Sequence, residues 1–422
     1  MFSFVKQLFS SSNKDLRKRI LFTLGCLAIF SIGTNISVPG AKVITRELGF
    51  LELLNLMAGG ALKNFSIFAL GVTPYITASI LTQFLQMDII PYFSELKEEG
   101  YTGRRKINSI NRYFGILFAL IQGYAFSVAF LGNSSSLVIL KTTIILTSGT
   151  ALLLWLGDQI TNKGIGNGVS LLIMAGIIQS MPNTFITAYN TLIGNASITV
   201  IGIMLFILFI ITYLVVIAGV IFVQEAERRI PIQYSNRTNS AYGAQQTFLP
   251  LKVNSGGVIP VIFASTLLGI PTFIAEFLKK EAFTNFINNY IVYTTLTGFI
   301  LYALLIFFFG YFYTFMEMNP EDMSKNLNKN GGYIPGIRPG SDTTNYISKI
   351  LLRLTTSGGL FLVIISGLPI IISKLSGLPK SISIGGTGLL IVVGVAIETY
   401  KQMTSSIVNR SYRRRSRRIW KI

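Results

Sequence analysis

The sequence predicts an all-α polytopic membrane protein with ten transmembrane helices in two inverted five-helix halves. Three observations carry that expectation. Hydrophobic residues make up 51% of the 422 and charged residues 13%, with a mean hydropathy of +0.58; a soluble chain carries roughly twice that share of charge. The segment Gly71-Val72-Thr73-Pro74-Tyr75-Ile76-Thr77-Ala78-Ser79 returns as Gly257-Val258-Ile259-Pro260-Val261-Ile262-Phe263-Ala264-Ser265, within apolar stretches that would cross in opposite directions. That is the trace of an inverted repeat about a pseudo-two-fold axis in the membrane plane, with any path lying at the seam. Finally, about 27 of the 36 lysines and arginines fall in segments on one side of the membrane, the positive-inside asymmetry.

Ten spans are expected in order, at about 20–38, 73–87, 113–131, 140–156, 168–181, 198–222, 256–277, 292–315, 350–372 and 385–400. The first half runs over 20–181 and the second over 182–400, with a segment 1–19 and a basic tail 401–422 both on the inner side. The apolar stretch 58–87 is too long for one span and is interrupted by Gly71 and Pro74. Proline costs nothing in a first helical turn, whose N–H lacks a partner anyway. The expectation is a half-helix from Gly59 to Leu70, then a new helix near Thr73 inside the membrane. Irregular backbone at that depth requires burial or a water-filled cavity. Phe2, Phe4, Val5, Leu8 and Phe9 suit either an interfacial helix or a disordered tail, and no cleavable leader is expected.

Two inner loops exceed what topology needs. Residues 223–255 carry Glu225, Arg228, Arg229 and Arg237; residues 316–349 carry Gly336-Ile337-Arg338-Pro339-Gly340. Arg338 reads either as a solvated turn or as a side chain presented to a partner. The run Arg410, Arg413, Arg414, Arg415, Arg417, Arg418 fits attraction to anionic lipid.

The spans lack the equipment of an enzyme. There is no His, Cys26 is the single Cys, and no paired carboxylates lie at mid-depth. No metal and no cofactor are expected, and an ion-coupled transporter would also want a charged midplane group. What the repeat brings to mid-depth is apolar. Val72 and Ile76 share a helical face, and Ile262 takes the place of Ile76 in the second copy. Gly168-Val169-Ser170-Leu171-Leu172-Ile173 is matched by Gly386-Thr387-Gly388-Leu389-Leu390-Ile391. Spans two, five, seven and ten could thus give β-branched side chains to one ring, although any one of these residues could equally be ordinary core or lipid-facing. A narrow apolar ring dewets and bars ions, yet can part around a passing chain. Thr77 and Gln122 are polar exceptions, either functional or interhelical glue.

Longer motifs name a family. Gly59-Gly60-Ala61-Leu62, Ser66-Ile67-Phe68-Ala69-Leu70-Gly71, Gly103-Arg104-Arg105-Lys106, Trp155-Leu156-Gly157-Asp158-Gln159-Ile160-Thr161, Gly164-Ile165-Gly166-Asn167-Gly168, Leu249-Pro250-Leu251-Lys252-Val253-Asn254 and Pro335 to Gly340 resemble the SecY family, the channel subunits of the bacterial general protein translocase. The resemblance runs in order from the first span to the tenth.

It implies an hourglass pore that conducts unfolded preproteins outward and releases transmembrane segments sideways into lipid, driven by a partner. It maps the pore ring onto Val72, Ile76, Val169, Ile173, Ile262 and Ile391. It maps a plug onto about Gly59–Leu70, including Gly59, Gly60, Ala61, Leu62, Lys63 and Asn64. A lateral gate would part spans two and three from seven and eight; Thr77 and Gln122 match its polar positions, while the seventh-span position is the apolar Ile270. Arg104, Arg105, Arg237 and Arg338 would dock the SecA motor ATPase or the ribosome. SecE and SecG would be companion subunits, signal sequences and membrane lipid further partners, and a bacterial plasma membrane the location, with both termini cytoplasmic. The loop tip Asn236 to Ala241 departs from the family by keeping one arginine. An accessory channel for few exported proteins and a small-solute transporter are the competing readings.

Overall fold

The computed structural model describes residues 14–40, 44, 51–86, 90–131, 135–194, 199–234, 247–278, 280–292, 295–376 and 380–419. Each of the ten expected spans coincides with a helix. In the first half these are α1 (Lys14–Gly33), α3 (Thr73–Leu85), α5 (Tyr101–Leu131), α6 (Ser136–Lys163) and α7 (Gly168–Tyr189); between them lie the short α2 (Leu51–Met57) and α4 (Pro91–Glu98). In the second half they are α8 (Thr199–Glu225), α9 (Ile259–Leu278), α11 (Leu296–Glu317), α13 (Ser341–Ser376) and α14 (Lys380–Ile419); α10 (Glu281–Tyr290) and α12 (Pro320–Lys329) lie outside the spans. Among the described residues six helices are long and apolar enough to cross a membrane on length and composition alone. The helix α3 is not one of them. Its 13 residues reach ~20 Å, short of the ~30 Å hydrocarbon core.

Several expectations are corrected. No helix runs from Gly59 to Leu70. The short helix lies earlier, at Leu51–Met57, and residues 58–72 form turns. The cause is local: Gly59 and Gly60 have φ of 70° and 81°, left-handed values that end a right-handed helix. Asn55 organises the turns beyond it, since its Oδ1 accepts the Lys63 N–H at 2.9 Å and its carbonyl accepts the Gly60 N–H at 2.8 Å. The fifth span runs past 181 and through Pro182 to Tyr189, then ends in a π-turn at Asn190–Gly194. The basic tail continues α14 as helix to Ile419.

The two long inner loops also join in one small sheet, an addition to the all-helical expectation. Strand β1 (Glu227–Tyr234) pairs antiparallel with β2 (Thr247–Lys252), and its end pairs with β3 (Gly332–Tyr333) through Gln233↔Tyr333. Ile230 and Leu251 from the strands and Ile334, just after β3, bury a small core with Ile347 and Leu351 of α13. Arg237 and the loop tip, the leading segment 1–13 and the side chains of the terminal arginines lie outside the described residues.

The repeat folds alike in its two copies. Gly71 and Gly257 have φ of 56° and 59°. Each is followed by a helix with Pro74 or Pro260 in its first turn, and the Ile76 and Ile262 N–H groups donate to Val72 and Val258 at 3.1 and 3.2 Å. The second match differs in setting: Gly168 opens α7, whereas Gly386 lies inside α14. The halves meet along two lines, with α3 and α5 touching α9 on one and α7 packing on α14 on the other.

Candidate functional site

A cavity of about 740 Å³ opens toward the inner loops. Its walls mix apolar side chains with polar ones, among them Asn167, Gln224, Lys252, Asn254, Glu317, Glu398 and Lys401. Its apolar lining includes Ile173, Ile262 and Ile391, one residue each from α7, α9 and α14. Glu317 is the last residue of α11.

Five of the six expected ring residues belong to a single buried cluster: Val72, Ile76, Ile173, Ile262 and Ile391, each less than a tenth exposed. Val169 is half-buried against the same cluster. Val169, Val72 and Ile76 do not line the cavity; a methyl on Gly157 would lie 3.3 Å from Val169 Cγ2, so that side chain leans on α6. The long motifs around it have a structural cause. A side chain on Gly168 would overlap the Gly157 carbonyl. The Gly168 N–H donates to Thr161 Oγ1 at 2.9 Å, and Asn167 Oδ1 caps α7 by accepting from Val169 N at 3.1 Å.

The helix α2 touches α7, α9 and α14, the three helices that carry Ile173, Ile262 and Ile391. Glycines seat the turns after it. A methyl on Gly176 of α7 would overlap the Met57 carbonyl and lie 2.9 Å from the Gly59 nitrogen. Gly149 of α6 makes equally close room for the Ile67 carbonyl, and Gly33 of α1 for the Phe68 ring. Of the expected plug residues, Ala61 and Leu62 are buried, Gly60 and Asn64 are half-buried, and Lys63 is exposed. Gln179 Nε2 donates to Thr34 Oγ1 at 2.9 Å beside Gly59.

Thr77 and Gln122 face one apolar crevice of about 330 Å³, shared by α3, α5 and α9 and including Ile270. At the other end of that line, Phe84 of α3 sits among Phe308, Phe309 and Phe312 of α11. Arg104 and Arg105 are exposed in the first turn of α5. Arg338 is exposed too, on a turn fixed by Thr343 Oγ1 donating to the Arg338 carbonyl at 2.9 Å and Ser324 Oγ to that of Gly340 at 3.0 Å.

Sequence reasoning missed the glycine seat, Gln179 and the Phe84 group. Gln179 carries the same signal as Gln122, an amide in an apolar span. The aromatic group had a weaker signal in the run Phe307-Phe308-Phe309, and the seat had none, because a glycine's neighbour is set by another helix.

Comparison with known proteins fits this geometry. The SecY family model matches residues 66–400. The protein translocase subunit SecY of Bacillus subtilis (strain 168) is 48% identical over 414 residues, covering 94% of this chain and 96% of that one. Among solved structures, one titled "The structure of a protein conducting channel" superposes with a TM-score of 0.70 at 20% identity, over 94% of this chain and 93% of that one. Sec61 in the canine ribosome-channel complex from the endoplasmic reticulum superposes at 0.66 and 20% identity, with the same coverage.

Proposed function

Because the chain belongs to the SecY family and is the channel subunit of a protein translocase, we infer that its conducting path runs from the inner cavity through its isoleucines and past α2. The single observation that carries this reading is their shared position: Ile173, Ile262 and Ile391 come from three separate helices, belong to one buried cluster and line the same inner cavity. Water and ions can fill the funnel, and an aliphatic constriction then presents a large desolvation barrier to ions. An unfolded polypeptide has no such barrier at its apolar side chains, and rotation of the isoleucines admits it without sequence-specific hydrogen bonds.

The ring consists of Val72, Ile76, Val169, Ile173, Ile262 and Ile391. The plug is the turn segment from about Gly59 to Leu70, including Gly59, Gly60, Ala61, Leu62, Lys63 and Asn64, which follows α2. The gate is the line at which α3 and α5 meet α9 and α11, with Thr77 and Gln122 in its crevice. Arg104, Arg105, Arg237 and Arg338 present positive charge to a SecA motor or a ribosome on the inner face. SecE and SecG are the companion subunits, the bacterial plasma membrane is the location, and both termini are cytoplasmic. The enriched inner-side basic charge supports that orientation.

Ion conductance of the reconstituted channel tests the core of this. The double variant Ile76→Asn, Ile262→Asn is expected to leak ions well above the parent. Equal conductance would remove the ring from the path.

A further inference from the structure

The line that must part for sideways release is packed unevenly along its length. At the α2 end it is an apolar crevice of about 330 Å³, in which Thr77, Gln122, Thr266 and Ile270 face open volume. Polar side chains there do not stitch it shut: Thr77 Oγ1 donates to its own helix at Thr73 O, 3.2 Å, and Thr266 Oγ1 to Ile262 O, 2.8 Å. Gln83 Nε2 likewise turns back to Ser79 Oγ at 3.2 Å.

At the funnel end the same line is filled with rings. The Phe84 ring centre lies 4.8 Å from that of Phe312, 6.2 Å from Phe309 and 6.4 Å from Phe308. Phe309 is fully buried and also meets Phe263 of α9 edge-on at 5.6 Å. One side chain of α3 is thus held by three of α11, and through Phe309 by α9. Tyr313, the residue after Phe312, lines the funnel, so the ring group lies at the funnel's depth along α11.

We propose that Phe84, held by Phe308, Phe309 and Phe312, is a latch that sets how apolar a substrate segment must be to open the gate. This rests on the channel reading above. In a bilayer, apolar burial alone does not hold helices together, because lipid tails are as apolar as the side chains; packing geometry does. Parting α3 from α11 exchanges ring–ring contacts for contacts with lipid or with the entering segment. The difference is therefore the oriented-ring contribution and not the whole area of Phe84. The entering chemistry that best replaces it is a helical segment rich in leucine, isoleucine or phenylalanine, whose side chains can occupy the vacated slot.

The test is export by the complete reconstituted translocase of two substrates that differ only in their signal segment. One is strongly apolar, and the other has two leucines changed to alanine. For Phe84→Ala, export of the weakened substrate relative to the intact one should rise about 2- to 12-fold, the factor a single oriented ring pair supplies. Phe185→Ala removes a ring that packs on Phe209 at 5.8 Å and Tyr213 at 5.3 Å, away from this line, and should leave the ratio at the parent value. A parental ratio in Phe84→Ala overturns the latch, as does an equal rise in Phe185→Ala. If Phe84→Ala does not accumulate, Phe84→Leu keeps most of the volume without the ring and decides the matter on the same ratio. Failure of the parent to export even the intact substrate would overturn the channel reading instead.

Discussion

Gly176→Ala should unseat the plug with one methyl group. In the structure that methyl would overlap the Met57 carbonyl and lie 2.9 Å from the Gly59 nitrogen, where ordinary contact begins at 3.4 Å. Both obstacles are backbone, so no rotamer change relieves them. The turn must retreat by about 0.5 Å at Gly59, the shortfall between those two distances, and by more at Met57. Overpacking of this kind costs about 1–3 kcal/mol, which lowers the seated population relative to the displaced one about 5- to 150-fold. The assay is resting ion conductance in planar bilayers, paired with labelling of Met57→Cys in a Cys26→Ser background by a membrane-impermeant thiol reagent. Met57 is 5% exposed, so the seated plug should label slowly and the displaced one fast. Gly219→Ala is the control, since the nearest atom it would meet is Phe361 at 4.0 Å. Parental conductance and parental labelling in Gly176→Ala would refute the seat. Equal changes in Gly219→Ala would show that any added methyl loosens the bundle.

Arg338→Glu should abolish motor-driven export while leaving thermal stability unchanged, because the side chain is exposed and the turn is held by the Thr343 and Ser324 hydroxyls; unaffected export would return that turn to mere solvation.

How far the sequence could be read depends on which interactions are local. The breaks at Gly71 and Gly257 were legible because glycine followed three residues later by proline forces a left-handed turn and then a helical start, whatever packs nearby. The ten spans were legible because backbone groups in lipid must be satisfied within the helix. The short helix lies earlier than expected because Gly59-Gly60 resembles the flexible start of a helix, whereas the Asn55 hydrogen bonds to Lys63 and Gly60 make it the end of one. The β1–β3 pairing was invisible for another reason: Gln233 and Tyr333 are joined only in space, through Tyr333 Oη–H donating to Gln233 Oε1 at 2.9 Å.

The ring shows where periodicity stops informing. Val169 and Ile173 are four residues apart and share a helical face, yet only Ile173 lines the funnel. The difference arises at the α6–α7 corner, where Gly157 and Gly168 let the two backbones touch and Val169 fills the adjoining space. Replacing Gly157 by alanine would therefore press on Val169 at 3.3 Å and drive it toward the path. That variant changes the closure without altering any ring residue. A lowered resting conductance, with the long motif around Gly157 otherwise intact, is the expected result; a raised one would mean that the corner yields before the side chain does.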